Sequence, residues 1–333
     1  MKVLMIGGTG NISTSVSRLA LARGIDLYLL NRGRSGVPID GAKTITADIN
    51  QPEQVAAALG DLQFDSVVNW IAFQEHEVER DIALFRGRTK QYVFISSASA
   101  YQKPTTMPII TESTPLANPY WLYSRNKIAC EERLMRAYRD EGFPMTIVRP
   151  SHTYDNRIPF TIGNGGSYVI PQRLLDGRPI VVHGDGTSLW TLTHSEDFAL
   201  GFVGLLAHPH SIGQAYHITS DFVLTWNQIV EQVADALGVQ PNIVHIPSEF
   251  IAKVAPNIGP GLIGDKMHCL IFDNTKIKRL VQEYVATIPF HIGIRRTLAW
   301  FQADPARMEV SPEDHATIDA ILEAYGERGQ LQA

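Results

Sequence analysis

The sequence predicts an α/β protein built on a doubly wound parallel sheet, with a smaller lobe formed by the C-terminal half. Three observations support this fold class. A short apolar run at the N-terminus ends in a cluster of glycines and is followed by apolar residues at helical spacing. Apolar segments of strand length then alternate with helical patterns up to Pro150, which is typical of a parallel sheet covered by helices on both faces. Beyond Pro150 the alternation becomes less regular.

The N-terminal segment predicts a strand, a glycine turn and a helix, in that order. Residues 1–6 form the apolar run, and residues 7–13 read Gly-Gly-Thr-Gly-Asn-Ile-Ser. Gly8 and Gly10 fit a Gly-x-Gly-x-x-Gly motif, whose glycines let a pyrophosphate approach a helix N-terminus, while Ser13 replaces the third glycine. The alternative is an ordinary strand-to-helix turn. In a Rossmann-like dinucleotide site the expected contacts are Gly7, Thr9, Gly10, Asn11 and Ile12.

The remaining elements follow the same periodicities. Predicted strands cover 25–30, 44–46, 66–70, 91–96 and 145–149, and predicted helices cover 51–60, 75–86 and 119–141. Residues 1–150 are therefore expected to form a Rossmann-like dinucleotide-binding domain. Residues 151–333 are expected to form mainly a smaller C-terminal substrate-binding lobe, with some segments returning to the sheet. Within this lobe the pattern predicts an amphipathic helix over 226–237 and a C-terminal helix over 312–325.

The composition favours a cytoplasmic enzyme over several other classes of protein. The chain has 34 acidic and 29 basic residues and a net charge of −5, which gives no electrostatic reason to expect nucleic-acid binding. Two cysteines are too few for a disulfide framework, and none of the 11 histidines stands in a metal-ligand pattern, so no metal is expected. No apolar stretch approaches the roughly 20 residues of a membrane span, so no membrane attachment is expected.

Tyr123 and Lys127 stand four residues apart in the helical pattern of 119–141. On a helix, positions i and i+4 share one face, so the two side chains are expected to point in the same direction. A free tyrosine titrates near about 10, and a neighbouring ammonium would lower the pKa of the phenol. The pair is therefore a candidate proton-transfer site. The alternative is that the tyrosine packs its ring while the lysine reaches water.

With these segments in view, the chain resembles the extended short-chain dehydrogenase/reductase superfamily, and within it the NAD-dependent epimerase/dehydratase family, of which it is identified as an atypical member. The resemblance is collinear over nearly the whole length. Its anchors are the turn at 7–13, Asp48-Ile49, the segment 94–101, the Tyr123 and Lys127 pair, and Arg149-Pro150. It implies a homodimer formed through two helices of each subunit.

The resemblance also implies roles for three side chains. In such enzymes a serine at the position of Ser97 polarises the reacting carbonyl or hydroxyl, the tyrosine exchanges a proton and the lysine holds the nicotinamide ribose. Ser97 follows the predicted strand 91–96, at the carboxyl end where open α/β sheets bind ligands. Pro150, which closes the strand over 145–149, is expected to contact the cofactor. The candidate catalytic residues are Ser97, Tyr123 and Lys127.

The choice of cofactor depends on the end of the second strand. A carboxylate there would bind the adenosine ribose and repel a 2'-phosphate. The chain instead has Asn31, Arg32 and Arg34. The guanidinium groups of the two arginines can pair with a phosphate, and no carboxylate opposes it there. NADP(H) is therefore expected to be favoured over NAD(H), with Asp48 and Ile49 contacting the adenine. The alternative is that both arginines only solvate a surface loop.

Departures from the family pattern bear on the substrate. Sugar-nucleotide 4,6-dehydratases carry an Asp-Glu pair directly after the catalytic hydroxyl residue, whereas Ala98-Ser99 here favours hydride transfer without dehydration. His152 and Trp190 stand where many of these enzymes place asparagine and arginine against a nucleotide diphosphate, so the substrate is expected to lack that group. Candidate substrate contacts are Ser99, His152, Trp190 and His194. For both histidines the alternative is a hydrogen bond to local backbone.

The expected activity is hydride transfer at a carbonyl or secondary alcohol of a sugar-like or other polyhydroxylated small molecule, with Tyr123 as acid and base. An NAD(P)-dependent reductase or epimerase would perform it. The alternative is a non-catalytic, regulatory or RNA-binding member of the same fold, because the chloroplast stem-loop RNA-binding proteins share the Asn-Arg-Gly turn after the second strand. The complete set of Ser97, Tyr123 and Lys127 and the lack of a basic stripe favour the enzyme and make nucleic acid an unexpected partner.

Overall fold

The computed structural model describes residues 1–33 and 37–331. Its strands are β1 (Lys2–Ile6), β2 (Asp26–Asn31), β3 (Lys43–Thr46), β4 (Ser66–Asn69), β5 (Tyr92–Ile95), β6 (Ile109–Ile110), β7 (Met145–Pro150), β8 (His152–Tyr154), β9 (Ile180–His183), β10 (Leu189–His194), β11 (Ala215–Ile218), β12 (Val223–Thr225), β13 (Ile243–Ile246) and β14 (Ile271–Phe272). Its helices are α1 (Ser13–Ala22), α2 (Pro52–Leu59), α3 (Glu75–Phe85), α4 (Leu122–Glu141), α5 (Val169–Leu175), α6 (Ser195–Leu205), α7 (Trp226–Leu237), α8 (Ser248–Val254), α9 (Gly259–Gly261), α10 (Thr275–Leu280), α11 (Phe290–Gln302) and α12 (Pro312–Leu331).

Seven strands form one parallel sheet in the order β11-β7-β5-β4-β1-β2-β3. The side chains of β1 alternate between its two faces. Val3 and Met5 pack with residues of α1 and α6 on one face, whereas Leu4 and Ile6 pack with residues of α2, α3 and α4 on the other. Helices therefore cover both faces, which confirms the predicted doubly wound α/β fold.

The start of α4 differs from its predicted position. The helix begins at Leu122 rather than at residue 119, because Asn118 Oδ1 accepts hydrogen bonds from the backbone N–H groups of Tyr120 (3.2 Å) and Trp121 (3.3 Å). This turn keeps Trp121 in an extended conformation directly before the helix. By contrast, α7 has its predicted bounds, and α12 runs past the predicted end at residue 325.

Most of the chain after residue 150 forms small sheets and helices around a core of their own. The strands pair as β12-β10-β8, β13-β9 and β14-β6. Trp190 of β10 and Trp226 of α7 belong to this core, and their ring centroids lie 5.2 Å apart. The strand β11 returns to pair with β7 in the large sheet. Among the described residues, no helix is both long and apolar enough to cross a bilayer.

A buried ion pair braces the carboxyl edge of the large sheet. Arg149 of β7 donates to Glu131 of α4 through Nε (2.9 Å to Oε1) and Nη2 (2.6 Å to Oε2), and the Ser96 hydroxyl donates to the same carboxylate. Both charged side chains are almost fully buried. A bidentate pair in this setting has a defined geometry, so it holds α4 against the ends of β5 and β7. Open α/β sheets bind ligands at this edge.

Candidate active site

The chain leaves β1 through Gly7 and Gly8, which both occupy the left-handed backbone region with φ of 91° and 100°. A side chain at Gly8 would place its Cβ 2.7 Å from Leu29 Cδ2, so this position favours glycine by both conformation and space. Ser13, at the third motif position, accepts a hydrogen bond from the backbone N–H of Gly10 through Oγ (2.8 Å). The serine therefore takes part in the turn that precedes the N-terminus of α1.

A cavity of about 530 Å³ opens beside this turn. Its wall combines the turn after β1, the segment after β4, the ends of β5 and β7, and α4, which the topology brings to one edge of the sheet. The predicted catalytic residues Ser97, Tyr123 and Lys127 all line it. So do the predicted cofactor contacts Gly7, Thr9, Gly10, Asn11, Ile12 and Pro150. Residues more than 100 positions apart in sequence thus meet around a single space.

A smaller cavity of about 250 Å³ adjoins the first, since Gly7 and Ile71 line both. The predicted adenosine contacts Asn31, Arg32, Asp48 and Ile49 line this second cavity. The two cavities together extend from the predicted catalytic residues to the end of β2, which is the direction a dinucleotide takes across such a sheet. Arg34, the other predicted phosphate contact, lies outside the described residues.

The charges around the smaller cavity are mixed. Arg32 is exposed and lines it together with two carboxylates, Asp48 and Glu77. Glu77 accepts hydrogen bonds from the backbone N–H groups of Phe73 (2.6 Å) and Gln74 (2.8 Å), so its charge is partly satisfied. The expectation that no carboxylate opposes a phosphate here therefore applies to the end of β2 and not to the whole cavity.

Two buried polar atoms of the larger cavity fit a dinucleotide. Asn11 Oδ1 and Trp70 Nε1 have no hydrogen-bond partner among the described residues, and both residues line the cavity. One is an acceptor and the other a donor. A nicotinamide dinucleotide carries donors in its ribose hydroxyls and carboxamide, and acceptors in its phosphates and carboxamide, so it can satisfy both atoms. The residues present therefore fit the cofactor that the glycine turn predicts.

Lys127 is held at the edge of the sheet by backbone carbonyls. Its Nζ donates to the carbonyl oxygens of Ala72 and Ile95, both at 2.7 Å, and lies 4.3 Å from the ring centroid of Phe73. Burial lowers the pKa of its ammonium to about 8. An ammonium has three donors, so two are used within the protein and one is left for a ligand in the cavity.

Tyr123 lies on the same face of α4 and approaches Ser97. Burial of the phenol disfavours its ionised form, the nearby Ser97 hydroxyl has a smaller opposite effect on the pKa, and the charge of Asp265 acts in the same direction as burial. The pKa of Tyr123 is therefore raised above its ordinary value. The sequence predicted the opposite direction, because it placed the full charge of Lys127 beside the phenol. In the structure that ammonium is turned to two carbonyls and is itself desolvated.

Ser99 lies behind Ser97 rather than in the cavity. Its Oγ is 2.9 Å from Ser97 Oγ and accepts a hydrogen bond from Ser124 Oγ at 2.8 Å. Ser99 is buried, as is Ser124. The predicted substrate contact at Ser99 is thus, in the structure, a hydroxyl that orients Ser97 from the protein interior.

His152 and Trp190 contact each other. Trp190 Nε1 donates to His152 Nδ1 (3.1 Å), and Trp190 is only 1% exposed. Because an indole N–H can only donate, Nδ1 accepts and the proton of the neutral imidazole is on Nε2. Burial lowers the pKa of His152 to about 3, and the charge of Lys266 acts in the same direction. Trp190 itself is covered by its neighbours and packs in the core of the C-terminal half.

His194 has a structural role in the fold. It is buried, and its Nδ1 accepts a hydrogen bond from the backbone N–H of Glu196 (3.3 Å) at the start of α6. Its ring also packs edge-on against Tyr154. The bond to local backbone, which was the alternative for this histidine, is the contact that the structure shows.

Four further residues near Tyr123 were not identified from the sequence. The Trp121 ring centroid lies 4.8 Å from that of Tyr123, and the Lys266 Nζ lies 5.4 Å from the Trp121 centroid. Asp265 and Lys103 accompany Lys266. The position of Trp121 two residues before Tyr123 was a usable signal. The other three reach the site through tertiary structure, from segments with no recognisable motif.

No metal centre is indicated in the part of the chain that the structure describes. Within residues 1–33 and 37–331, no group of three or more His, Cys, Asp or Glu side chains is arranged to hold a metal ion.

Comparison with known proteins agrees with this arrangement. The NAD dependent epimerase/dehydratase family matches residues 3–219. The 2'-dehydrokanamycin reductase of Streptomyces kanamyceticus is 26% identical over 256 residues, covering 76% of this chain and 71% of that protein. The chloroplast stem-loop binding protein of 41 kDa b from Arabidopsis thaliana is 27% identical over 270 residues, covering 75% and 67%.

Solved structures show the same fold. The UDP-glucose 4-epimerase of Bifidobacterium longum, in complex with NAD+ and UDP, superimposes with a TM-score of 0.74 at 17% identity. The superposition covers 92% of this chain and 99% of that one. At this identity the likeness concerns the fold.

The depressed pKa of Lys127 predicts a pH-dependent stability. Between pH 8 and 10.5 the unfolded chain binds more protons at this site than the folded chain, so the free energy of unfolding should rise with pH, by roughly 3 kcal/mol at most. The Lys127→Met variant should lack this rise. Urea unfolding of cofactor-free protein at several pH values measures the difference, with the exposed Lys253→Met as control. Parallel curves for wild type and Lys127→Met would contradict the assignment.

Proposed function

Because the chain belongs to the NAD dependent epimerase/dehydratase family, we propose that it is a nicotinamide-dependent reductase or epimerase. Its substrate is a sugar-like or other polyhydroxylated small molecule that reacts at a carbonyl or secondary alcohol. The observation that carries this proposal is that Ser97, Tyr123 and Lys127 line the same cavity as the glycine turn. In this reading, residues 1–150 bind the cofactor, and residues 151–333 mainly cover the substrate.

The side chains of the cavity divide the chemistry between them. Ser97 and Tyr123 bind the reacting oxygen through their hydroxyl groups, and Tyr123 transfers the proton. Lys127 uses its remaining donor to orient the ribose next to the nicotinamide. The cofactor, when bound, supplies or accepts the hydride at its nicotinamide ring. Ser99 and Ser124 hold the Ser97 hydroxyl in place.

Because its pKa is raised, the Tyr123 phenol starts in the protonated form, which is the form that carbonyl reduction requires. A buried phenol stays protonated at neutral pH and is ready to act as an acid toward the oxygen of a carbonyl. The first residues after Ser97 are Ala98 and the buried Ser99, so this turn offers no carboxylate of the kind used for 4,6-dehydration. The similarity to a 2'-dehydrokanamycin reductase supports the same reaction class. Carbonyl reduction is therefore the leading reaction, with epimerisation second.

RNA binding is the second candidate function, and the similarity to a chloroplast stem-loop binding protein is the observation that favours it. A binding module has no chemical need for a phenol and a serine hydroxyl side by side in the wall of a nicotinamide cavity. RNA binding also depends on phosphate contacts and weakens with salt. The two functions therefore respond differently to a single change at Tyr123.

Tyr123→Phe should abolish turnover while leaving the fold intact, because it removes one hydroxyl at the cavity wall. The expected loss in kcat is roughly 100-fold to 10,000-fold. It is measured by NADPH oxidation with the best substrate from a panel of sugar-derived ketones. Tyr138→Phe, at an exposed position on the same helix, is the matched control. Salt-sensitive RNA binding that survives Tyr123→Phe, without any reductase activity in the wild type, would favour the binding module instead.

NADP(H) is the proposed cofactor, on the strength of Arg32 and Arg34 after β2. Replacing Arg32 by aspartate should weaken NADPH binding by roughly 10-fold or more and spare NADH, because the guanidinium contributes a charge-assisted contact to the 2'-phosphate. Titration calorimetry with both cofactors measures the change. Arg295→Asp, an exposed position that lines neither cavity, is the control. Tighter binding of NADH by the wild type would show that Asp48 and Glu77 decide the preference.

A homodimer is the proposed assembly, as the family resemblance implies. Sedimentation equilibrium of the purified chain should give about twice the monomer mass of 36.9 kDa at micromolar concentration. A single species at the monomer mass over this range would contradict it.

A further inference from the structure

Lys103, Asp265 and Lys266 form a mostly buried cluster of charges near Tyr123. The Lys266 Nζ lies 3.2 Å from Asp265 Oδ2. Lys103 Nζ lies 3.8 Å from Asp265 Oδ1, which is too far for a hydrogen bond. Both Lys103 Nζ and Asp265 Oδ1 are buried without a hydrogen-bond partner among the described residues, and Lys103 is only 3% exposed. The cluster thus contains an ammonium whose donors are unused.

The charges of this cluster do not balance. Two lysine side chains share one carboxylate, which leaves one positive charge in excess when both are protonated. Burial lowers the pKa of Lys103, so its ammonium is destabilised unless a further anion binds beside it. The nearby histidines do not add to the excess charge, because burial lowers the pKa of both His152 and His268 and so favours their neutral forms. A buried charge without a partner is costly, and an anion that binds beside it removes much of that cost.

The cluster approaches the reacting residues through Trp121. Lys266 Nζ lies 5.4 Å from the ring centroid of Trp121 and 5.7 Å from that of Trp190. The side chain of Lys266 is 22% exposed. Trp121 in turn contacts Tyr123, with ring centroids 4.8 Å apart. The charge of Asp265 reaches the Tyr123 phenol. A ligand group held by Lys266 would therefore bind close to the oxygen that Tyr123 protonates.

We propose that the substrate carries an anionic group, a carboxylate or a phosphate monoester, which binds Lys266 with Lys103 behind it. The proposal rests on the function proposed above and narrows its substrate class to a sugar acid or a sugar phosphate. Lys266 contacts the anion directly because it is the exposed member of the cluster. Lys103 acts as a positioning residue, since its charge draws Asp265 away from full pairing with Lys266. The two tryptophan rings exclude water from this contact and strengthen it.

Binding to the NADP+-loaded protein tests the proposal without requiring turnover. Intrinsic tryptophan fluorescence is the readout, because Trp121 and Trp190 flank Lys266. The probes are D-glucuronate, D-glucose 6-phosphate, D-glucose and UDP. A saturable change is expected with glucuronate or glucose 6-phosphate, and the responding probe identifies the carboxylate or the phosphate as the anion. Glucose, which has no charge, should give no such change.

Substitutions at Lys266 show whether this cluster is the site. Lys266→Ala should weaken binding of the responding anion at least 10-fold, and Lys266→Arg should restore much of it because the charge is kept. Lys253→Ala is the surface control, and thermal unfolding confirms that each variant is folded. Lys103→Met should weaken binding of the same anion without changing the affinity for NADP+.

Four results would overturn the proposal. The first two are an equal response to glucose and to the anions, and the lack of a saturable response to either anion. The third is an anion affinity that does not change in Lys266→Ala. The fourth is a Lys266-dependent response to UDP alone, which would assign the cluster to a nucleotide diphosphate. Failure of the proposed function is distinguishable from these. Tyr123→Phe should still show the fluorescence response to the anion, because the anion contacts Lys266 and not Tyr123. If the wild type binds the anion but has no reductase or epimerase activity, the proposed reaction is refuted while the anion subsite stands.

Discussion

The buried ammonium of Lys127 is the interaction on which the site depends. Its two hydrogen bonds reach the carbonyls of Ala72 and Ile95. Ala72 lies shortly after β4, and Ile95 is the last residue of the neighbouring strand β5. Because Lys127 is one helical turn beyond Tyr123, these bonds also fix the rotation of α4 and hence the position of the phenol. The Glu131 and Arg149 pair supports the same helix one turn further on. Without these anchors Tyr123 would have no defined distance to the glycine turn.

The site therefore combines a rigid edge with polar groups that lack partners in the protein itself. Asn11, Trp70 and Lys103 each keep at least one buried donor or acceptor unused among the described residues. Such groups cost free energy in the absence of a ligand and are expected where a ligand binds. Asn11 and Trp70 line the cavity beside the glycine turn, and Lys103 belongs to the charge cluster near Tyr123. Under the proposed function, the first two belong to the cofactor side of the site and the third to the substrate side.

Sequence reasoning was strongest where local periodicity and motif coincide. The strands of the large sheet, the glycine turn and the spacing of Tyr123 and Lys127 follow from patterns of a few residues, and the structure gathers these residues around one cavity. The direction of the pKa shift of Tyr123 was predicted wrongly, because the spacing of two residues reveals neither their burial nor the hydrogen-bond acceptors around Lys127. Lys103, Asp265 and Lys266 were missed because over 160 residues of chain separate members that become neighbours only through tertiary packing.

The hydrogen bond between Trp190 and His152 has a consequence for the kinetics of the enzyme. His152 Nδ1 accepts the hydrogen bond from Trp190, so its Nε2–H remains a donor. Because burial lowers the pKa of His152 to about 3, its ring stays uncharged in the neutral pH range. An inflection between pH 5 and 8 in a pH–rate profile would ordinarily be assigned to a histidine. Because burial lowers the pKa of His152 so far, we expect such an inflection to come from the substrate's own ionisation or from another group.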